Sequence, residues 1–247
     1  MKGVLLAGGT GSRLYPLTRI TNKHLLPIYD RPMINWAIEA LVKADITELM
    51  LVTGGIHAGE FLRLLGNGHE FGIDRLSYGY QERPGGIAEA LGLAEQFCDH
   101  EPVLVMLADN VVERSLRPMV DAFRANPTGA RILLTEVTEP EHLRHLGVPA
   151  LDDSGRVTEI IEKPESPPSD YGVTGIYCYT PEVFDIIKTL EPSGRGELEI
   201  TDVNNHFVSA GLMAYDVLDG FWGDAGESID AYYAVNDFVR AHGANKD

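Results

Sequence analysis

Short apolar runs alternate along the chain with stretches of helical spacing, and this rhythm narrows the possible folds more than any other feature. Gly3 to Leu6, Glu48 to Val52, Leu76 to Gln81, Val103 to Leu107 and Ile132 to Val137 read as strands, since short apolar runs bounded by turn signals suit strands buried on both faces. Between them, Ile34, Ile38, Leu41 and Val42 repeat at helical spacing after Pro32, and Ile87 to Phe97 and Leu116 to Ala125 have helical character. Helical crossovers bring successive strands back in the same direction, which predicts an α/β fold with a mostly parallel open sheet and helices on both faces. After Glu141 the pattern changes. Ala150-Leu151 and Val157 to Ile161 flank Asp152-Asp153-Ser154-Gly155, a hairpin signal that predicts an antiparallel subregion. Gly175 to Tyr179 and Met213 to Leu218 complete the strands, with helices near Pro181 to Leu190, Thr201 to Ser209 and Ser228 to Ala241. Neither a linker composition nor a repeat interrupts the 247 residues, so one domain over 1–247 is expected.

Charge limits the partners. The chain carries a formal charge of −17, which disfavours nucleic acid and anionic membrane because phosphate backbones need basic surface to displace their counterions. No run approaches the roughly 18 apolar residues of a membrane span, and Met1 to Leu6 leads directly into a loop, so a cytoplasmic protein is expected. Cys98 and Cys178 belong to no CxxC or Cys/His metal pattern and read as reduced core thiols. His142 and His145 form an HxxH without further ligands, a poor zinc pattern.

The first strand ends in Ala7-Gly8-Gly9-Thr10-Gly11-Ser12-Arg13, and glycines in such a loop let backbone N–H groups approach a phosphate. Leu14 stands where the dinucleotide fingerprint needs a third glycine or alanine, and Gly11 is followed by Ser12-Arg13 where a P-loop needs lysine. The loop is therefore of another kind, and a triphosphate there would meet Arg13 and, ten residues on, Lys23.

The string Leu6-Ala7-Gly8-Gly9-x-Gly11-x-Arg13-Leu14-x-Pro16-x-Thr18, followed by Lys23-x-Leu25-x-Pro27, resembles the signature of sugar nucleotidyltransferases. The likeness continues through Tyr29-Asp30-Arg31-Pro32, Gly86-Ile87-Ala88-Glu89-Ala90, Asp109-Asn110, Glu162-Lys163-Pro164, Val173-Thr174-Gly175 and Arg195-Gly196-Glu197-Leu198-Glu199. It is nearest to the glucose-1-phosphate thymidylyltransferases.

The resemblance implies a Rossmann-like sheet with an antiparallel sugar-binding subregion. Residues 1–137 would be mainly nucleotide-binding, 138–227 mainly sugar-phosphate-binding and 228–247 a C-terminal helix. Leu6, Ala7, Gly8, Gly9, Gly11, Ser12, Gln81 and Gly86 match nucleotide-binding positions, and Gln81 with Gly86 match the pair that reads the base edge. Arg13, Lys23 and Lys163 match catalytic cations, with Lys163 on the sugar phosphate. Gly147, Glu162, Val173 and Arg195 match the sugar-phosphate wall. Asp109 and Asp224 match the ligands of a Mg2+ ion, a suitable number because this ion usually takes one or two carboxylates and completes its shell with phosphate and water.

The expected partners are thus a nucleoside triphosphate and a sugar 1-phosphate, and the expected products are dTDP-glucose and pyrophosphate. UTP or GTP, or another hexose 1-phosphate, is the near alternative; a non-catalytic nucleotide-sugar-binding relative is the distant one. His24, Ala108 and Leu146 depart from the usual glutamine, glycine and aromatic of the thymidylyltransferases, and Gly223 and Ala225 flank Asp224 differently. The longer relatives carry a C-terminal helical extension that has no counterpart here, which leads to the expectation of a monomer or small homo-oligomer.

Overall fold

Six strands of a seven-stranded sheet run one way and one runs against them. The order across the sheet is Met213–Val217, Ala130–Glu136, Tyr171–Tyr179, Val103–Leu107, Lys2–Ala7, Glu48–Gly54 and Arg75–Gln81. Tyr171–Tyr179 is antiparallel to both of its neighbours, and every other pairing is parallel. The computed structural model describes residues 1–9 and 11–247. Within them lie all the expected strands, and the hairpin forms from Gly147–Leu151 and Val157–Glu162.

Strand periodicity separates two cores. Odd and even residues point to opposite faces, so Val4, Leu6, Val103 and Val105 enter one hydrophobic cluster while Leu5, Ala7, Leu104 and Met106 enter the other. The first face is covered by helices Ile87–Gly92, Val183–Thr189 and Ile200–Ser209, and the second by Met33–Lys43, Ala58–Leu65 and Arg117–Ala125. A third cluster joins Leu14 of the glycine-rich loop to Trp36 and to Tyr232, Val235 and Val239 of the C-terminal helix Ile229–His242. That helix therefore supports the turn that carries Arg13.

Some elements differ from the sequence reading. The helix expected over Ile87 to Phe97 divides into Ile87–Gly92 and Glu95–Cys98, as Gly92 is a poor helix residue at the break. Tyr171–Tyr179 starts earlier than the apolar run because its hydrogen-bonded register with Ala130–Glu136 continues through Tyr171 and Gly172. Both cysteines are free and buried, and burial pushes the Cys98 thiol up to about 12. Among the described residues, no helix is long and apolar enough to cross a membrane.

Candidate active site

The chain leaves Lys2–Ala7 for Glu48–Gly54 and Arg75–Gln81 on one side, then returns to Val103–Leu107 on the other. Such a reversal opens a crevice beyond the carboxyl ends of the two central strands, where open α/β sheets take ligands. Gly8 and Gly9 follow the first of these strands and Asp109 follows the second. The crevice has two lobes. One, of about 320 Å³, is lined by Leu6, Gly8, Gly9, Lys23, Gln81 and Gly86, among others. The second, of about 220 Å³, is lined by Gly147, Glu162, Lys163, Val173 and Arg195, among others. Arg13 and Asp224 line both.

Three residues of the expected nucleotide set line neither lobe. Ala7 is buried in the core beneath the loop, while Gly11 and Ser12 turn it, with Gly11 accepting hydrogen bonds from Leu14 N–H and the Thr18 hydroxyl. Thr10 lies outside the described residues.

At the junction of the lobes, two acidic residues distant in sequence become neighbours. The short strands Asn110–Val112 and Trp222–Asp224 pair antiparallel, and Ala225 N–H donates to the Asp109 carbonyl at 2.9 Å. Lys23 Nζ lies 2.5 Å from Asp109 Oδ2. Burial alone would raise the Asp109 carboxyl, but the Lys23 ammonium outweighs it and holds the group well below the usual carboxylate range. Among the described residues Asp224 has no such partner. Burial first, and then the charge of Asp109, raise its carboxyl above the usual range. Burial would also lower Lys23, yet Asp109 and Asp224 together raise it, so it stays an ammonium.

Among the described residues Lys23 pairs with Asp109 and no cation pairs with Asp224, which leaves an excess of carboxylate charge that a divalent ion would relieve. Among the described residues no cluster of three or more His, Cys, Asp or Glu could enclose a metal. Two carboxylates plus phosphate and water fit Mg2+, which rarely uses an all-protein cage.

Asn110 orients this junction, and sequence reasoning gave it no role. It is 1% exposed, its Oδ1 accepts from Gly175 N–H at 2.9 Å and from Trp222 Nε1 at 2.7 Å, and its Nδ2 donates to Asp109 Oδ1 at 3.2 Å. Only the fold brings these partners together. His24, beside Lys23, is buried with Nδ1 2.8 Å from Asn22 Oδ1. Burial, and secondly the Lys23 charge, lower its pKa to about 3, so it lines the larger lobe as a neutral ring.

At the far end of the larger lobe, Gln81 ends its strand and donates through Nε2 to the Gly86 carbonyl at 3.2 Å and to Glu89 Oε1 at 3.1 Å. Gly86 has φ 98°, and a Cβ there would collide with the backbone of Leu198, so another residue type would have to move that backbone. In the smaller lobe, Glu162 Oε2 accepts from the Thr201 hydroxyl at 2.8 Å, and Lys163 Nζ is 3.4 Å from Glu162 Oε1. Lys163 has φ 47°, a left-handed conformation that costs a non-glycine residue about 1–2 kcal/mol. Arg195 forks onto Glu199 at 2.9 Å and also faces Glu162 and Glu197 at 3.9 and 3.7 Å. This lobe thus holds acceptors for hydroxyl groups beside Lys163, Arg195 and Arg13.

Residues 2–242 match the model of a family described as nucleotidyl transferase. The chain is 42% identical over 244 residues to a glucose-1-phosphate thymidylyltransferase of Actinoplanes sp., covering 98% of this chain and 78% of that protein. It is 40% identical to the low-salt glycan biosynthesis nucleotidyltransferase Agl11 of Haloferax volcanii, covering 93% of this chain and 64% of that one. A crystal structure of a Bacillus anthracis protein in complex with sucrose has a TM-score of 0.91 at 45% identity, covering 97% of this chain and 95% of the other.

Proposed function

Because the chain belongs to the nucleotidyl transferase family, we propose that it joins dTTP to glucose 1-phosphate, forming dTDP-glucose and pyrophosphate. One observation carries the reading: Asp224 and Arg13 stand where two lobes meet, with Asp109, Lys23 and Gln81 in the larger lobe and Lys163 and Arg195 beside the hydroxyl acceptors in the smaller. The thymine and glucose assignments draw on the thymidylyltransferase relative.

In this reading the larger lobe takes the triphosphate. Its base lies against Gln81 and Gly86, and its phosphates run past Gly8 and Gly9 toward Arg13. The smaller lobe takes the sugar phosphate, with Glu162 accepting from sugar hydroxyls and Lys163 and Arg195 facing the phosphate. An oxygen of the sugar phosphate attacks the α-phosphorus, and the bond to the leaving pyrophosphate breaks on the opposite side. That oxygen is already ionised at neutral pH, so no general base is needed. Two anions must nevertheless meet. Lys163 aligns the attacking phosphate, Arg13 stabilises charge on the leaving group, and Lys23 holds Asp109 in place. Asp109 and Asp224 would hold Mg2+, which when bound neutralises phosphate charge and polarises the phosphoryl group.

Pyrophosphate release measured over a panel of nucleoside triphosphates and sugar 1-phosphates tests the substrates, with dTTP and glucose 1-phosphate expected to give the highest kcat/KM. Lys163→Ala should lower kcat/KM by on the order of a hundredfold, the scale of losing one preorganised charge stabiliser. Calorimetry should find weakened glucose 1-phosphate binding and near-normal dTTP binding. The reverse pattern would move Lys163 to the triphosphate.

A further inference from the structure

Gln81 can read a base in either of two ways, because a side-chain amide offers an acceptor on one side and a donor on the other. Its local partners choose between them. The two atoms facing Nε2, the Gly86 carbonyl oxygen at 3.2 Å and Glu89 Oε1 at 3.1 Å, are both acceptors. Turning the amide over would set its oxygen against both, so the chemistry of the neighbours fixes the NH2 group on their side. Of the two, the carboxylate is the stronger anchor, since a charge-assisted hydrogen bond exceeds a neutral one. Oε1 then remains for the crevice.

Glu89 has been given the room to do this. A side chain at Gly85 would occupy the place of the Glu89 carboxylate. Glu89 is also held from its other oxygen by Arg83 Nη2 at 3.5 Å, on the outer surface.

We propose that Glu89 is a positioning residue for base selection: it locks the Gln81 amide with its oxygen toward the nucleotide, so that the site takes a base whose ring nitrogen carries a proton. This rests on Gln81 lying against the base, as in the function proposed above. Thymine and uracil present N3–H to such an acceptor. Cytosine presents a bare N3 lone pair in the same position, and two acceptors would then face each other.

The test compares kcat/KM for dTTP and dCTP in the full-length enzyme. Glu89→Gln keeps the shape of the side chain but adds an NH2 donor, so residue 89 can meet either orientation of Gln81 and only the Gly86 carbonyl still opposes the turned amide. The preference for dTTP over dCTP should fall about tenfold, the scale of one charge-assisted hydrogen bond, while KM for glucose 1-phosphate changes by less than about twofold. Glu89→Asp, still an acceptor only, should retain most of the preference. Gly85→Ala, which displaces the carboxylate, should lose it as Glu89→Gln does. An unchanged preference in Glu89→Gln, with a raised triphosphate KM in Gln81→Ala, would overturn the role of Glu89 and leave the proposed reaction standing. A Gln81→Ala variant with normal triphosphate KM would overturn the inference by moving base recognition elsewhere. Absence of dTTP turnover by the unaltered enzyme would remove both.

Discussion

Asp224 sits beside another carboxylate that already owns the nearest ammonium, and both burial and that neighbour raise its pKa. A carboxyl raised on folding binds its proton more tightly in the folded state. The folded protein therefore loses stability as pH climbs from the unfolded value of about 3.9 through the raised folded value. Below that window both states are protonated and Asp224 has no effect. Asp224→Asn should accordingly raise the Tm of the metal-free protein at pH 8, at about 2–4 °C for each kcal/mol relieved, and change it less near pH 4. The same variant should lose turnover by about a hundredfold or more, as expected for a group that holds the ion between the substrates. A Tm that falls at pH 8 would show that Asp224 is paired rather than repelled. Most lining residues of this site were legible as motifs, since Lys163 and Arg195 lie in short distinctive strings. Asn110 and Glu89 lie in such strings too, yet nothing in the strings marked their roles. Their partners are Gly175, Trp222 and Gln81, and such contacts are specified by tertiary geometry instead of local spacing.

The C-terminal helix Ile229–His242 shows how an element remote from the substrates in sequence supports the site. Ser228 caps it, accepting from Ala231 N–H through Oγ at 3.0 Å, and its buried face meets Leu14 in the third hydrophobic cluster. Ser228→Ala leaves that N–H without its acceptor and should cost about 1 kcal/mol, within the usual range for a lost N-cap. Ser228→Asp supplies another good capping oxygen and should restore the stability, which denaturant melts would measure. Equal losses in both variants would exclude capping as the cause. This helix was readable from its apolar spacing, as were the strands, because each buries a regular set of positions. Ala58–Leu65 was not read as a helix: Gly59 and the exposed Leu62 blur its apolar stripe, although Phe61 and Leu65 are buried one turn apart. Asn110–Val112 and Trp222–Asp224 are too short for any periodicity. They form because their backbones satisfy each other in an antiparallel ladder, and that pairing brings the two acidic residues together.

At the scale of the whole molecule, the central problem is that a chain with 37 acidic and 20 basic side chains is proposed to gather two anionic substrates. The alternation of strands and helices was sufficient to indicate the sheet and its crevice, but charge balance within the crevice depends on how the fold distributes its groups. Arg13, Lys23, Lys163 and Arg195 line the lobes together with Glu162, Glu197, Glu199, Asp109 and Asp224, so the acids there match or exceed the bases. The local cations can align phosphates at contact distance, yet they cannot reverse the long-range field of a charge of −17. Substrate approach should therefore be slowed by repulsion that salt relieves. The screening length shrinks from about 30 Å at about 0.01 M ionic strength to about 8 Å at about 0.15 M, which removes the distant repulsion while leaving close contacts largely intact. At constant free Mg2+, kcat/KM for glucose 1-phosphate should rise by about two- to fivefold across that interval. Steady-state rates in a series of inert monovalent salts would measure it. A steep fall instead would mean that attraction by Lys163 and Arg195 extends well beyond the smaller lobe and governs capture of the substrate.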